Sequence, residues 1–220
     1  MSRGAAAFPW RLVTFDIDGT LTRVHGWRGM AEAFGRLPAF EASNRRFFAH
    51  EIGEDPHLAD LLDIAVGHSV AEVEAVLAAT PKLDGIGDGV AELRRAGARV
   101  ALLTHNPPYV CRWYARTFGF EDFEGTEGTI VQDGVIARPG PVHADKVGGM
   151  ERLIARSGAT PGSSVHLGDG ASDAEVFRRV GGGVAVNAKL AEVRAAADAS
   201  VSTTRMEDLV AVLRGLRPRA

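Results

Sequence analysis

Asp16 and Asp18 stand one residue apart at the end of an apolar run, Leu12–Phe15, and Gly19 and Thr20 follow at once. Residues two apart on an extended chain share a face. Both carboxylates can therefore face one site at the carboxyl end of a strand, where open α/β sheets bind ligands. Two carboxylates this close repel each other unless a cation lies between them, and a hard cation such as Mg2+ takes oxygen ligands. An Asp-Gly turn with no chemistry would use the same residues, so the reading depends on what lies downstream.

Two more apolar runs end in polar residues. Residues 99–103 lead into Thr104-His105-Asn106, and residues 164–167 lead into Gly168-Asp169-Gly170-Ala171-Ser172-Asp173. Lys146 falls in the first turn of an expected helix over 144–157. A parallel sheet brings such strand ends to one edge. There Asp16, Asp18, Asp169 and Asp173 can hold a divalent cation. Thr104 offers a hydroxyl, the helix after it offers backbone N–H groups, and Lys146 offers positive charge. Together these grip a phosphate, and a carboxylate aimed at the phosphorus can attack it.

The elements that must position this set follow from pattern. Residues 12–15 read as a buried strand, short, β-branched and aromatic. Residues 27–79 carry no clear strand; apolar residues recur there at helical spacing, and Ser69 with Glu72 reads as a capping box. From residue 83, strands and helices alternate. Strands are expected at 99–103, 123–125, 164–167, 183–186 and near Val201. Helices are expected at 90–95, from Pro107-Pro108 to Phe118, at 144–157, after Asp173 to Val180, at 190–197 and at 206–216. Gln132-Asp133-Gly134 sits inside an expected hairpin over 129–136. The fold class is therefore α/β, with a Rossmann-like parallel sheet and helices on both faces. Residues 22–82 form a small inserted helical cap, and residues 1–21 and 83–220 form a discontinuous core. Residues 1–10 are expected to be a short disordered start.

The 220 residues are 45% hydrophobic and 24% charged, with a formal net charge of −3, which is the balance of a soluble globular protein with no call on nucleic acid or an anionic membrane. The single cysteine, Cys111, excludes an internal disulfide framework and suits packing in a reducing cytoplasm. No signal or membrane-spanning segment is expected. The expected partner is a small phosphorylated metabolite, and the expected state is a monomer or homodimer.

Asp16-Ile17-Asp18-Gly19-Thr20, Thr104, Lys146 and Gly168-Asp169-Gly170-Ala171-Ser172-Asp173 resemble the four motifs of the haloacid dehalogenase superfamily. The helical insert after the first motif and the segment Asn187-Ala188-Lys189 look most like its phosphoserine phosphatase branch, and the resemblance runs through nearly the whole chain from Leu12. It implies a C1-type cap and a phosphatase in which Asp16 is the nucleophile and forms an aspartyl-phosphate. Asp18 would protonate the leaving group and then activate water. Mg2+ would be held by the Asp16 carboxylate, the Asp18 backbone carbonyl and Asp169, with Asp173 ligating directly or through water. Thr104 and Lys146 would bind the phosphoryl oxygens, and the cap would exclude water.

The departures from that branch concern the substrate. His25 stands where the branch carries an acid for the substrate's amino group. Leu61 stands where it carries a cap arginine, and Thr104-His105-Asn106 replaces Ser-Gly-Gly. The resemblance thus carries the chemistry but not the amino-acid substrate. Residues offered for substrate contact are His105, Asn106, Arg23 and His25 beside Thr104 and Lys146, with Trp27, Asn44, Arg45 and Arg46 also in the cap. Rival readings are a phosphotransferase or mutase, a non-catalytic phosphate-binding protein, and a receiver-type phospho-acceptor domain. In the last of these the lysine comes after all the acids, unlike here.

Overall fold

A computed structural model describes residues 8–138 and 140–219. Strand β1 (Leu12–Phe15) leads into four helices: α1 (Gly26–Ala33), α2 (Leu37–Phe48), α3 (Glu54–Asp63) and α4 (Val70–Ala79). Then follow α5 (Ile86–Arg95), β2 (Arg99–Leu103), α6 (Pro108–Phe118), β3 (Asp122–Glu124) and the hairpin strands β4 (Ile130–Gln132) and β5 (Val135–Ala137). The chain closes with α7 (Lys146–Ser157), β6 (Ser164–Gly168), α8 (Ala171–Phe177), β7 (Gly182–Val186), α9 (Ala191–Ala196), β8 (Ala199–Val201) and α10 (Met206–Gly215).

The main sheet has the order β3-β2-β1-β6-β7-β8, and every pairing in it is parallel. Strand parity divides the core. Val13, Phe15, Val100, Leu102, Val165 and Leu167 face one way, into a cluster with α5, α6 and α10. Leu12, Ala101 and Leu103 face the other way, against Met150 and Leu153 of α7 and Val176 of α8. Burial on both faces is why these strands read as unbroken apolar runs rather than alternating ones.

The four-helix insert joins the core through two chain segments lying side by side. Thr22 bridges Lys82, and the Leu83 N–H donates to the Leu21 carbonyl (2.9 Å). Helix α4 starts with the expected capping box: the Glu72 N–H donates to Ser69 Oγ (3.2 Å), and the Ser69 N–H donates to Glu72 Oε2 (2.8 Å). Such a cap stabilises a helix start by about 1 kcal/mol. The hairpin turns at Asp133 and Gly134, both at positive φ (50° and 79°), as a two-residue turn matching the strand twist requires. Its other face belongs with the insert: Gly67 N–H donates to the Ile136 carbonyl and Ile136 N–H to the His68 carbonyl, both at 2.9 Å.

Three expectations need correction or limits. Residues 1–7 of the expected disordered start lie outside the described residues. Trp10 within it is 1% exposed, and its Nε1 donates to the Leu213 carbonyl (3.1 Å), so the end of α10 supplies the partner a buried indole needs. Helix α8 stops at Phe177, short of Val180, before the run of glycines that opens β7. Cys111 is fully buried in α6, as packing predicts. Among the described residues, no helix is long and apolar enough to cross a membrane.

Candidate active site

Asp16 follows β1 directly, and its N–H continues the sheet by donating to the Leu167 carbonyl (2.9 Å). Its side chain turns toward Lys146, whose Nζ is 3.4 Å from Asp16 Oδ1 and 2.6 Å from Asp173 Oδ1. Lys146 opens α7, which Asp145 caps by accepting the Gly148 N–H (2.9 Å). All three charged groups are buried. Burial works against the Lys146 charge, but Asp16 and Asp173 outweigh it and hold the pKa above its ordinary value.

Asp173 accepts four donors. Lys146 Nζ and His166 Nε2 (2.8 Å) reach Oδ1, and the N–H groups of Asp169 (3.0 Å) and Gly170 (2.9 Å) reach Oδ2. A carboxylate has about four acceptor sites, so the Asp173 oxygens are already fully engaged. Burial pushes its pKa up, yet Lys146 and the His166 hydrogen bond overcome that and hold it well below the usual range. His166 is itself completely buried in β6, and its Nδ1 lies 2.8 Å from Thr14 Oγ1. Burial lowers its pKa, leaving it neutral. A carboxylate only accepts, so Nε2 carries the proton toward Asp173 and Nδ1 accepts from Thr14. Thr14 and His166 are direct neighbours in the β1–β6 register.

Asp16 and Asp169 contrast with this. Burial pushes Asp16 up to about 7; Lys146 and the Thr104 hydroxyl oppose that, and Asp173 and Asp18 add to it. Burial, then repulsion from Asp16 and Asp173, pushes Asp169 up to about 8. Asp16, Asp169 and Asp173 each offer an oxygen within 4.8 Å of the others. An all-carboxylate donor set with two acids held reluctantly charged fits a hard divalent cation. Gly19 (φ 76°) is needed beneath it, because a Cβ there would fall 2.2 Å from Asp169 Oδ2.

Asp18 faces the helical insert. Its Oδ1 accepts the Gly26 N–H at 2.5 Å, from the first residue of α1, and its Oδ2 accepts Asn106 Nδ2 at 2.8 Å. Thr104 is buried at the end of β2, and its Oγ1 accepts from Asn106 Nδ2 (3.1 Å). His105 reaches the insert: its Nδ1 is 3.5 Å from Glu54 Oε1, while its Nε2 is buried without a partner. Burial, then Lys146, pushes His105 down to about 3, so it is neutral. Beside Glu54, Asp55 accepts the Ala144 N–H (2.7 Å) and pairs with His143 (3.1 Å). A cavity of about 580 Å3 opens along this side, lined by Thr104, His105, Arg112, Thr126, His143 and Lys146 among others.

The structure thus brings Asp16, Asp18, Thr104, Asn106, Lys146, Asp169 and Asp173 together, with His105 at the margin. His25 caps α1 next to Gly26, exposed, its ring 6.0 Å from that of Phe40. Arg23 does not join them: its guanidinium pairs with Asp84 (2.6 Å) and the Thr204 carbonyl, which were not foreseen as competitors for it. Trp27 is core, 2% exposed, and Arg45 and Arg46 are exposed in the last turn of α2. Leu61 is buried at 4% exposure and can offer a substrate no charge. Sequence reasoning missed Thr14, His166, Gly26 and Glu54. The first two carried a signal, as polar side chains in the middle of strands that are otherwise apolar.

A family model for haloacid dehalogenase-like hydrolases matches residues 10–181. The chain is 27% identical over 207 residues to a phosphoserine phosphatase of Archaeoglobus fulgidus, covering 93% of this chain and 60% of that protein. It is 29% identical over 183 residues to a phosphoserine phosphatase of Halobacterium salinarum, covering 81% and 86% respectively. Among solved structures, a phospho-aspartyl intermediate analogue of phosphoserine phosphatase superposes with a TM-score of 0.75 at 19% identity, over 92% of this chain and 98% of the other. A hydrolase from Salmonella enterica serovar Typhi gives 0.78 at 17% identity, over 86% of this chain and 66% of its own. The chain therefore spans less than two thirds of the Archaeoglobus and Salmonella proteins. These structural likenesses, all below 25% identity, bear on the fold.

Proposed function

From membership of the haloacid dehalogenase-like hydrolase family, to which the chain belongs, we propose that it is a Mg2+-dependent phosphatase acting on a small phosphorylated metabolite. The observation that carries this is Asp16 itself: a buried carboxylate beside the Lys146 ammonium (3.4 Å) and within 4.8 Å of Asp169 and Asp173. Lys146 and Thr104 bind the phosphoryl oxygens. An Asp16 oxygen forms a bond to phosphorus as the ester P–O bond breaks. The electron pair of that bond goes to the leaving oxygen, which takes a proton from Asp18. Asp18, now a carboxylate, takes a proton from water as the water attacks the aspartyl-phosphate, releasing phosphate and restoring Asp16.

Asp16, Asp169 and the Asp18 backbone carbonyl would hold the cation, with Asp173 ligating directly or through water. Bound there, Mg2+ would neutralise charge on the carboxylates and the phosphoryl oxygens. Residues 22–82 act as the cap, and contacts at Gly26, Glu54 and Asp55 tie them to the core edge. The substrate pocket differs from that of a phosphoserine phosphatase. Leu61 supports this because it is buried and uncharged, and His105 and Asn106 support it because they fill the room that two glycines would leave.

The test is phosphate release from a panel of phosphomonoesters, with Mg2+ and with chelator, using Asp16→Asn as the blank. The panel includes phosphoserine, sugar phosphates, nucleotides and an aryl phosphate. Metal-dependent release absent from Asp16→Asn is expected. Release that persists in excess chelator overturns the metal-dependent reading, and silence on every ester points to transfer onto an organic acceptor.

A further inference from the structure

The second strand end carries an asparagine, Asn106, whose side chain does more than fill space. It is 3% exposed, and its backbone is fixed on both sides. The Thr126 N–H donates to its carbonyl at 3.0 Å, and a Cβ on Gly125 would fall 2.4 Å from that oxygen. The amide nitrogen then donates in two directions, to Asp18 Oδ2 at 2.8 Å and to Thr104 Oγ1 at 3.1 Å. With Asp18 as a carboxylate, which only accepts, the amide nitrogen is the atom assigned to face it. One amide thus links the group that handles the leaving-group proton to the group that grips the phosphoryl oxygens.

Asp18 has a second tether, the Gly26 N–H on Oδ1. The two differ in kind. Gly26 opens the first helix of the insert, so its N–H would leave Asp18 if the insert lifted to admit substrate or release product. Asn106 follows β2 beside Thr104, and its carbonyl is held by the Thr126 N–H of the core, so it does not depend on the insert. We propose that Asn106 is the positioning residue for Asp18, holding its carboxylate against the phosphoryl site through the cap's opening and closing. The role rests on the phosphatase reading above.

A positioning role for the proton donor shows in leaving-group dependence. An alkyl phosphate expels a poor leaving oxygen and needs the proton; an aryl phosphate hardly does. Asn106→Ala and the isosteric Asn106→Asp should both lose turnover. The loss on an alkyl ester should exceed that on an aryl ester by about tenfold, the weight of one hydrogen bond to a charged group. Asn106→Ser, which keeps a short donor, should recover part of the difference. Equal losses on both esters would make Asn106 a merely structural residue and overturn the proposal. Crystal structures of Asn106→Ala and wild type give a readout independent of turnover: Asp18 is expected in a different or divided rotamer in the variant. An Asp18 carboxylate unmoved there overturns the positioning role whatever the protein hydrolyses. A wild type that hydrolyses no ester, with Asp18 displaced in Asn106→Ala, overturns the phosphatase reading and leaves the tether standing.

Discussion

The two sides of the catalytic edge are built on opposite principles. Below Asp16, the set Lys146, Asp173, His166 and Thr14 is buried, and each member is held by at least one partner inside 3 Å. Above it, Asp18, His25, His105 and Glu54 are half-buried or exposed, the contacts of Asp18, His105 and Glu54 cross between insert and core, and His105 Nε2 has no partner. A fully paired, dry network has one arrangement, because breaking any link strands a buried charge. A wet, loosely joined layer tolerates exchange. On the proposed mechanism the lower layer and Asp18 serve a step common to all phosphate esters, and the rest of the upper layer suits the part of a substrate that differs from one enzyme to the next.

That contrast can be broken or sharpened by substitution. The largest effect is expected from Asp16→Asn, with turnover falling on the order of 10⁴–10⁶-fold. Its thermal stability without metal should be undiminished, since the change removes a carboxylate that burial already disfavours. Retained turnover in stopped assays would remove Asp16 as nucleophile. Lys146→Met leaves Asp16 and Asp173 facing each other in a dry site. A loss of about 3–5 kcal/mol in urea unfolding is expected, and a loss below about 1 kcal/mol would mean that the lower layer is not the coupled unit described. His166→Phe keeps an aromatic ring, adds some bulk in a buried site and removes a donor from Asp173. Calorimetric Mg2+ affinity should fall about 10-fold or more, as for other outer-shell partners, and unchanged affinity would detach His166 from the metal site.

In the upper layer the effects shrink. His25→Ala should cost under about 0.5 kcal/mol of stability while reordering the ester panel, and an unaltered ranking would place His25 outside the pocket. The smallest effect concerns the Asp55–His143 contact. Hydrogen bonds from the Ala144 N–H and His143 lower the Asp55 pKa, so its share is present above the ordinary 3.8 and lost as pH falls through the lowered value. The Asp55 hydrogen bond raises the His143 pKa, so that share is present below the ordinary 6.5 and lost as pH rises through the raised value. Amide exchange in α3 should therefore be slower in wild type than in His143→Ala at mildly acid pH, and the two should converge in alkali. A constant difference would show that the contact owes nothing to charge.

Much of the lower layer was legible in the sequence. Unbroken apolar runs ending in Asp, Thr and Asp leave little choice of fold, and β2 and α7 match the expected strand and helix to within about two residues. His166 was hidden because its partner Thr14 is 152 positions away, and only the β1–β6 pairing makes them neighbours. Arg23 misled for the opposite reason. An arginine near a predicted site looks available, and nothing local announces Asp84 as its partner. Trp10 was taken for a loose end because its pocket is built by α10 and Gly182, at the far end of the chain. What local pattern cannot hold is pairing across the chain, and both layers contain such pairings, Thr14–His166 below and His105–Glu54 above.

The placement of β1 at the middle of the sheet also sets a timetable. One neighbour of this strand is β2 and the other is β6, where Thr14 meets the Val165 carbonyl 151 positions later. During synthesis the nascent strand waits with one edge unpaired while the 151 positions that separate Thr14 from Val165 are made. Contacts so distant in sequence are slow to form and expose the growing chain to aggregation. Asp16 acquires its setting only after Asp173 has emerged, so a ribosome stalled before that point holds a chain with no assembled phosphate grip. A premature stop between β1 and Asp173 yields a product for the proteases, because the buried partners of Asp16 are never made.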